Sequence, residues 1–98
     1  MDSVGSWYKM DICTQLANVG SEVNRAIMWK NKGNDKRKEG FCNKAIEFLN
    51  IIKKDPNNER RQGELNFCIT ELEDYFFGEN YYNTDDKKLM KYYDSFVR

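Results

Sequence analysis

Apolar residues recur along this chain at steps of three and four, with no sustained alternation, and that period predicts helices throughout. Ile12, Leu16, Val19, Val23 and Ile27 fall on one stripe, which gives a first amphipathic helix over about 6–32. Phe41, Ala45, Phe48, Leu49 and Ile52 make a second stripe, over about 35–54. Leu65, Cys68, Ile69, Leu72, Tyr75 and Phe76 make a third over about 56–77, and Leu89, Tyr92, Tyr93 and Phe96 a fourth over about 84–96. β-Branched residues are scarce, so no strand competes. The expected fold is all-α: a compact four-helix bundle in which residues 1–98 form one domain. Residues 1–5, ahead of the first stripe, are expected to be flexible.

Glycine, proline and short polar residues set the expected boundaries. Two positions compete for the first turn: cap logic favours Gly33-Asn34, whereas a paired-helix repeat keeps that glycine inside the helix and turns near Gly40. Pro56 suits the first turn of the third helix with Asp55 as its cap, because proline has no amide hydrogen to lose there. Gly78 stands where a left-handed closing residue is favoured, and a polar link follows over 79–83. Thr84 is the expected cap of the fourth helix, with Asp85 and Asp86 at its positive end.

Length and cysteine content narrow the class. A chain of 98 residues hides roughly 60 to 70 per cent of its unfolded surface, enough for a single core without staples. Cys13, Cys42 and Cys68 form no C-x-x-C pair and leave one over, which argues against a disulfide framework and for a reducing compartment. They are expected to be buried as small apolar groups. The longest apolar runs, Ala26–Trp29 and Tyr75–Phe77, are far too short to span a bilayer, and residues 1–6 lack the features of a signal segment. A soluble cytoplasmic protein with no membrane association is expected.

Charge sums to zero but is unevenly spread. Residues 30–61 carry ten basic against five acidic side chains, and residues 62–98 four against eight. Lys36, Arg37, Lys38, Arg60 and Arg61 are therefore candidate contacts for RNA or another polyanion. No groove-reading motif or basic–aromatic alternation accompanies them, so helices of opposite charge lying side by side are the favoured explanation.

Histidine is absent, which removes imidazole bases, Ser-His and Cys-His nucleophiles and histidine-ligated metals built from this chain alone. No cofactor or metal is expected. One acidic spacing needs testing: Glu71-x-x-Asp74 puts two carboxylates on one helix face, where they could hold Mg²⁺. The rings offer a different site. Tyr75, Phe76, Phe77, Tyr81, Tyr82, Tyr92, Tyr93 and Phe96 are eight of the fourteen aromatics, more than a short last helix readily hides. Docking of that helix accounts for some of them; Tyr75, Phe76, Tyr81, Tyr82, Tyr93 and Phe96 are the candidate interface.

Several resemblances follow from these motifs. Trp29, Gly33, Ala45 and Asp55-Pro56 follow the W…G…A…P order, so residues 29–58 resemble a single tetratricopeptide repeat. The segment Tyr8–Val23, with Trp29…Lys32-Gly33-Asn34 and Asp74–Gly78, is similar to a family of short uncharacterised bacterial all-helical proteins, a likeness that implies one domain and no known activity. The Glu71-x-x-Asp74 pair resembles half of the metal cluster of MazG-type nucleotide pyrophosphohydrolases, whose other half is an E-x-x-E pair; here Glu22 is followed three residues on by Arg25. Size and helix count are similar to those of HEPN domains, and the lack of histidine implies at most a noncatalytic relative. These readings order the expected functions. A non-enzymatic protein-interaction module comes first, self-associating as a homodimer or binding another protein; polyanion binding through 30–61 is second; a metal-dependent pyrophosphohydrolase-like activity is third.

Overall fold

Asp11 breaks the first expected helix in two. Its backbone is extended and its carboxylate accepts the Thr14 amide at 2.8 Å, so it caps a new helix instead of continuing the old one. The computed structural model describes residues 3–97. In it, α1 (Ser3–Tyr8) and α2 (Ile12–Asn31) replace the single helix expected over 6–32. Residues 3–5, expected to be flexible, are helical, and residues 1–2 lie outside the described residues. α3 (Asp35–Lys54), a 3₁₀ segment (Pro56–Arg61), α4 (Gln62–Phe76) and α5 (Asp86–Asp94) follow, with no strand among the described residues.

The turn between α2 and α3 falls at Gly33, and Gly40 lies inside α3. Gly33 has φ +76°, and its amide donates to Lys30 O while Asn34 N donates to Trp29 O, the paired bonds of a Schellman closure. Asn34 then turns its side chain to the next helix and accepts the Arg37 amide at 3.1 Å. One residue therefore closes α2 and opens α3.

Asp55 and Pro56 start a 3₁₀ segment, so the third expected helix becomes α-helical only from Gln62. Gly78 is not left-handed, contrary to expectation; the positive φ angles after α4 are at Asn80 and Asn83. Gly78 is small for a different reason, since a Cβ there would sit 3.0 Å from Asp74 O and 3.1 Å from its Cα. Thr84 does not cap the last helix either. Asp85 does, accepting the Lys88 amide at 2.8 Å, while buried Thr84 is held by Asn80 and Glu71.

α3 packs against both α2 and α4, and α5 packs against α2 and meets α4 through Tyr92, which bonds Glu64 and Cys68, so that the described residues form four main helices around one core. The core takes the predicted stripes almost unchanged: Leu16, Val19, Val23, Ile27, Ala45, Leu49, Ile52, Leu65, Cys68, Leu72, Phe76, Leu89 and Tyr93 are buried. Each large side chain of this set contributes roughly 1.5 to 3 kcal/mol through removal from water. α1 covers one end, with the Trp7 and Phe48 ring centres 4.6 Å apart.

Two contacts were not visible in the apolar pattern. Gln15 is fully buried; its amide donates to Trp7 O at 2.9 Å and to Asp55 Oδ2 at 3.1 Å, and its oxygen accepts from Asn58 at 3.0 Å. This network ties α1, α2 and the α3–3₁₀ corner. At the other side, Gly20 lets α5 approach so closely that a Cβ there would lie 2.6 Å from Tyr93 Cβ.

Candidate functional site

The eight C-terminal aromatics divide between the interior and the surface. Tyr93 is 1 % exposed and Phe76 5 %, so neither can meet a partner, and both leave the candidate interface for the core. Tyr75, Tyr92 and Phe96 are half-buried: Tyr75 donates to Asp86, and Tyr92 packs edge-on against both Tyr93 and Phe96. Phe77 closes α4 and is 44 % exposed, and Tyr81 and Tyr82 on the loop that follows are 85 % and 44 % exposed. Phe67 on α4, 47 % exposed, joins them. Its ring centre is 5.3 Å from that of Tyr82, which is 5.4 Å from that of Tyr81, both pairs edge-to-face. Phe67 stands off the buried stripe of α4, so the apolar period does not mark it. The available signal was an aromatic on the polar face of an amphipathic helix.

The fold presents Tyr81 and Tyr82 through the two carboxylates considered as metal ligands. Asp74 accepts the amides of Tyr81 and Tyr82 at 2.8 and 3.0 Å, which fixes the loop that carries the rings. Glu71 accepts the Thr84 hydroxyl at 2.9 Å, and Asn80 and Thr84 exchange two further bonds of 2.8 Å. Both acidic groups thus bind the 77–85 loop. Glu22 pairs with Arg25 at 3.0 Å, and no group of three or more potential ligands is assembled among the described residues.

Beside the rings, Glu64, Phe67, Cys68, Glu71, Lys88 and Tyr92 line a cleft of about 250 Å³. Tyr92 donates to Glu64 at 2.8 Å and accepts from the Cys68 thiol at 3.5 Å. Burial, reinforced by Cys68 and Glu64, raises the Tyr92 phenol well above its ordinary value. Burial likewise raises the Cys68 thiol, and it pushes Cys42 up to about 12. Both thiols stay protonated at neutral pH, so neither is an activated nucleophile. The cleft offers a wall of rings with one cation and two carboxylates at its margin.

The candidate polyanion contacts do not converge. Lys36 and Arg37 lie in the first turn of α3, whereas Arg60 and Arg61 lie in the 3₁₀ segment beyond its other end, roughly 30 Å away for a 20-residue helix. Lys38 pairs with Asp35 at 3.6 Å, and Arg61 with Glu64 at 3.4 Å. Lys36 and Arg37 instead meet Lys44, which was not among the candidate contacts, in a groove of about 640 Å³ that Glu22, Gly40 and Phe41 complete. Helical spacing was the missed signal: residues 36, 37, 40, 41 and 44 share one face.

Among the described residues, no helix is long and apolar enough to cross a membrane. Comparison with protein-family models, curated proteins and solved structures finds no match to this chain.

Proposed function

We propose that the protein is a non-enzymatic helical interaction module that forms a twofold homodimer through Phe67, Tyr81 and Tyr82, in the reducing cytoplasmic setting that its unpaired thiols suit. The observation that carries this reading is the exposed edge-to-face run of three rings beside a cleft on the same face. A twofold contact uses one patch on both subunits, so the patch must contain both a projection and a recess. Tyr81 is the projection, and the cleft bordered by Phe67 is the recess. At about 250 Å³ the recess is below the 300 Å³ or so usual for small-molecule sites, and suits one aromatic side chain. Lys88 beside Glu64 and Glu71 gives its rim both signs of charge, so a second copy meets no uniform repulsion.

Light scattering and sedimentation at micromolar to high micromolar concentration test the proposal. A dimer is expected, with Tyr81→Ser and Phe67→Ser shifting it towards monomer at unchanged helicity, since both side chains are exposed in the single chain. A wild-type monomer at high micromolar concentration would end the self-association reading.

A further inference from the structure

We infer that the groove between α2 and the first half of α3 binds a small organic diphosphate, with its phosphates between Lys36, Arg37 and Lys44 and its non-phosphate part against Phe41. The groove, about 640 Å³, lies within the range of small-ligand sites. Its lining is three cations, one half-buried ring, one glycine and one carboxylate. That carboxylate, Glu22, is already neutralised by Arg25 at 3.0 Å. Neither Lys36, Arg37 nor Lys44 forms an ion pair among the described residues, although the adjacent Lys38 does. Arg37 stacks over the Trp29 ring at 4.6 Å and Lys44 over Phe48 at 5.6 Å, which holds two of the cations against aromatic faces with their charge uncompensated. Gly40 leaves the middle of the groove open; a Cβ there would meet nothing within 4 Å.

Size and separation favour a compact ligand over a nucleic-acid strand. The second basic pair, Arg60 and Arg61, stands at the other end of α3, with Arg61 engaged by Glu64, so no continuous basic track joins the two. A diphosphate fits because it concentrates its charge over the reach of three side chains. Charge-assisted bonds to such groups are the strong ones, and a guanidinium binds two oxygens at once.

The test uses the whole chain with ADP, inorganic pyrophosphate and a twelve-residue oligouridylate as probes, followed by calorimetry. Trp29 gives a second readout in a Trp7→Phe variant, because a ligand that engages Arg37 moves a cation off the Trp29 ring. One saturable ADP site is expected, with pyrophosphate weaker, and with Arg37→Gln or Lys44→Gln losing about tenfold in affinity. Arg60→Gln with Arg61→Gln should leave ADP binding unchanged. Gly40→Glu should abolish it while improving the helix, so that loss cannot be blamed on unfolding. The inference is overturned by absence of saturable binding at millimolar ADP, or by pyrophosphate binding as tightly as ADP, which would leave Phe41 no part. It is also overturned if oligouridylate binds more tightly than ADP with equal losses at both basic clusters, which would reveal an extended polyanion surface.

Discussion

Two carboxylates, Asp55 and Asp86, each gather three segments of the chain, and they do so at different depths. Asp55 is 3 % exposed and is bound by neutral donors, the Gln15 side-chain amide and the Asn57 backbone. Asp86, with 29 % of its side chain exposed, is bound by Lys30, Asn31 and the Tyr75 hydroxyl. The first sits where α1, α2 and α3 already share an apolar seam, so its role is to satisfy polar groups that the corner traps. The second sits at the start of a nine-residue helix, where less apolar surface is available and an ion pair adds what it can. The contrast shows that α5 depends on a few contacts, chiefly Tyr93 in the Gly20 notch, whereas α2 and α3 share a distributed interface.

The largest expected effect comes from removing the ring that anchors α5. Tyr93→Ala should cost about 3 to 5 kcal/mol in urea unfolding, as for other buried aromatic truncations. Tyr93→Phe should stay within about 0.5 kcal/mol of wild type, because the Tyr93 hydroxyl is buried with no partner in hydrogen-bonding geometry. An equal loss in both variants would show that the hydroxyl, and not the ring, holds α5.

Next in size is the buried corner. Gln15→Ala strands Asp55 Oδ2 in the interior and takes one of the two bonds of the Asn58 side-chain amide, whose other goes to Ile52 O, and should cost about 2 to 3 kcal/mol. The loss should change little with salt, since Asp55 is met there by neutral donors and the substitution breaks no ion pair.

Gly20→Ala tests the α5 side again. The clash with Tyr93 should outweigh the roughly 1 kcal/mol of helix propensity gained, leaving a net loss of about 1 to 2 kcal/mol. Thiol labelling localises the damage. Cys68, which touches Tyr92 of α5, should react faster in this variant, while Cys42 between α3 and its neighbours should stay protected. A net stabilisation would mean that α5 can slide without loss.

The smallest effect is electrostatic. Burial opposes ionisation of Asp86, but the bonds from Tyr75, Lys30 and Asn31 outweigh it and hold its carboxyl below the usual range. A carboxyl so depressed contributes stability above its unfolded value of about 3.9, and the contribution is lost as pH falls through the lower folded value. The same cluster raises Lys30: burial lowers its pKa, and Asp86 and Tyr75 more than restore it. That contribution is present below 10.5 and is lost as pH rises through the folded value. Because the pair is partly exposed, Asp86→Asn should cost under about 1 kcal/mol at neutral pH and low salt. The difference from wild type should shrink below pH 4 and in high salt. A difference that persists at pH 2 would show that hydrogen bonding, not charge, is what Asp86 supplies.

The helical period alone determined the fold class, because burying one face of each segment demands that spacing, and Leu16, Leu49, Leu72 and Leu89 were placed inside by it. The sequence left Gly33-Asn34 and Gly40 both open for the first turn, and the structure takes the former, where a left-handed glycine and a capping asparagine act within a few residues. Failures began where a group's partner is distant in sequence. Gln15 is buried only because Asp55 and Asn58, 40 and 43 positions away, complete its bonds, and Gly20 matters only because Tyr93 arrives against it. The surface rings followed the same rule. Composition announced an excess of aromatics, but which rings stay outside was decided by Asp74 and Glu71 fastening the loop and by α5 burying Tyr93, contacts that exist only once the helices have packed.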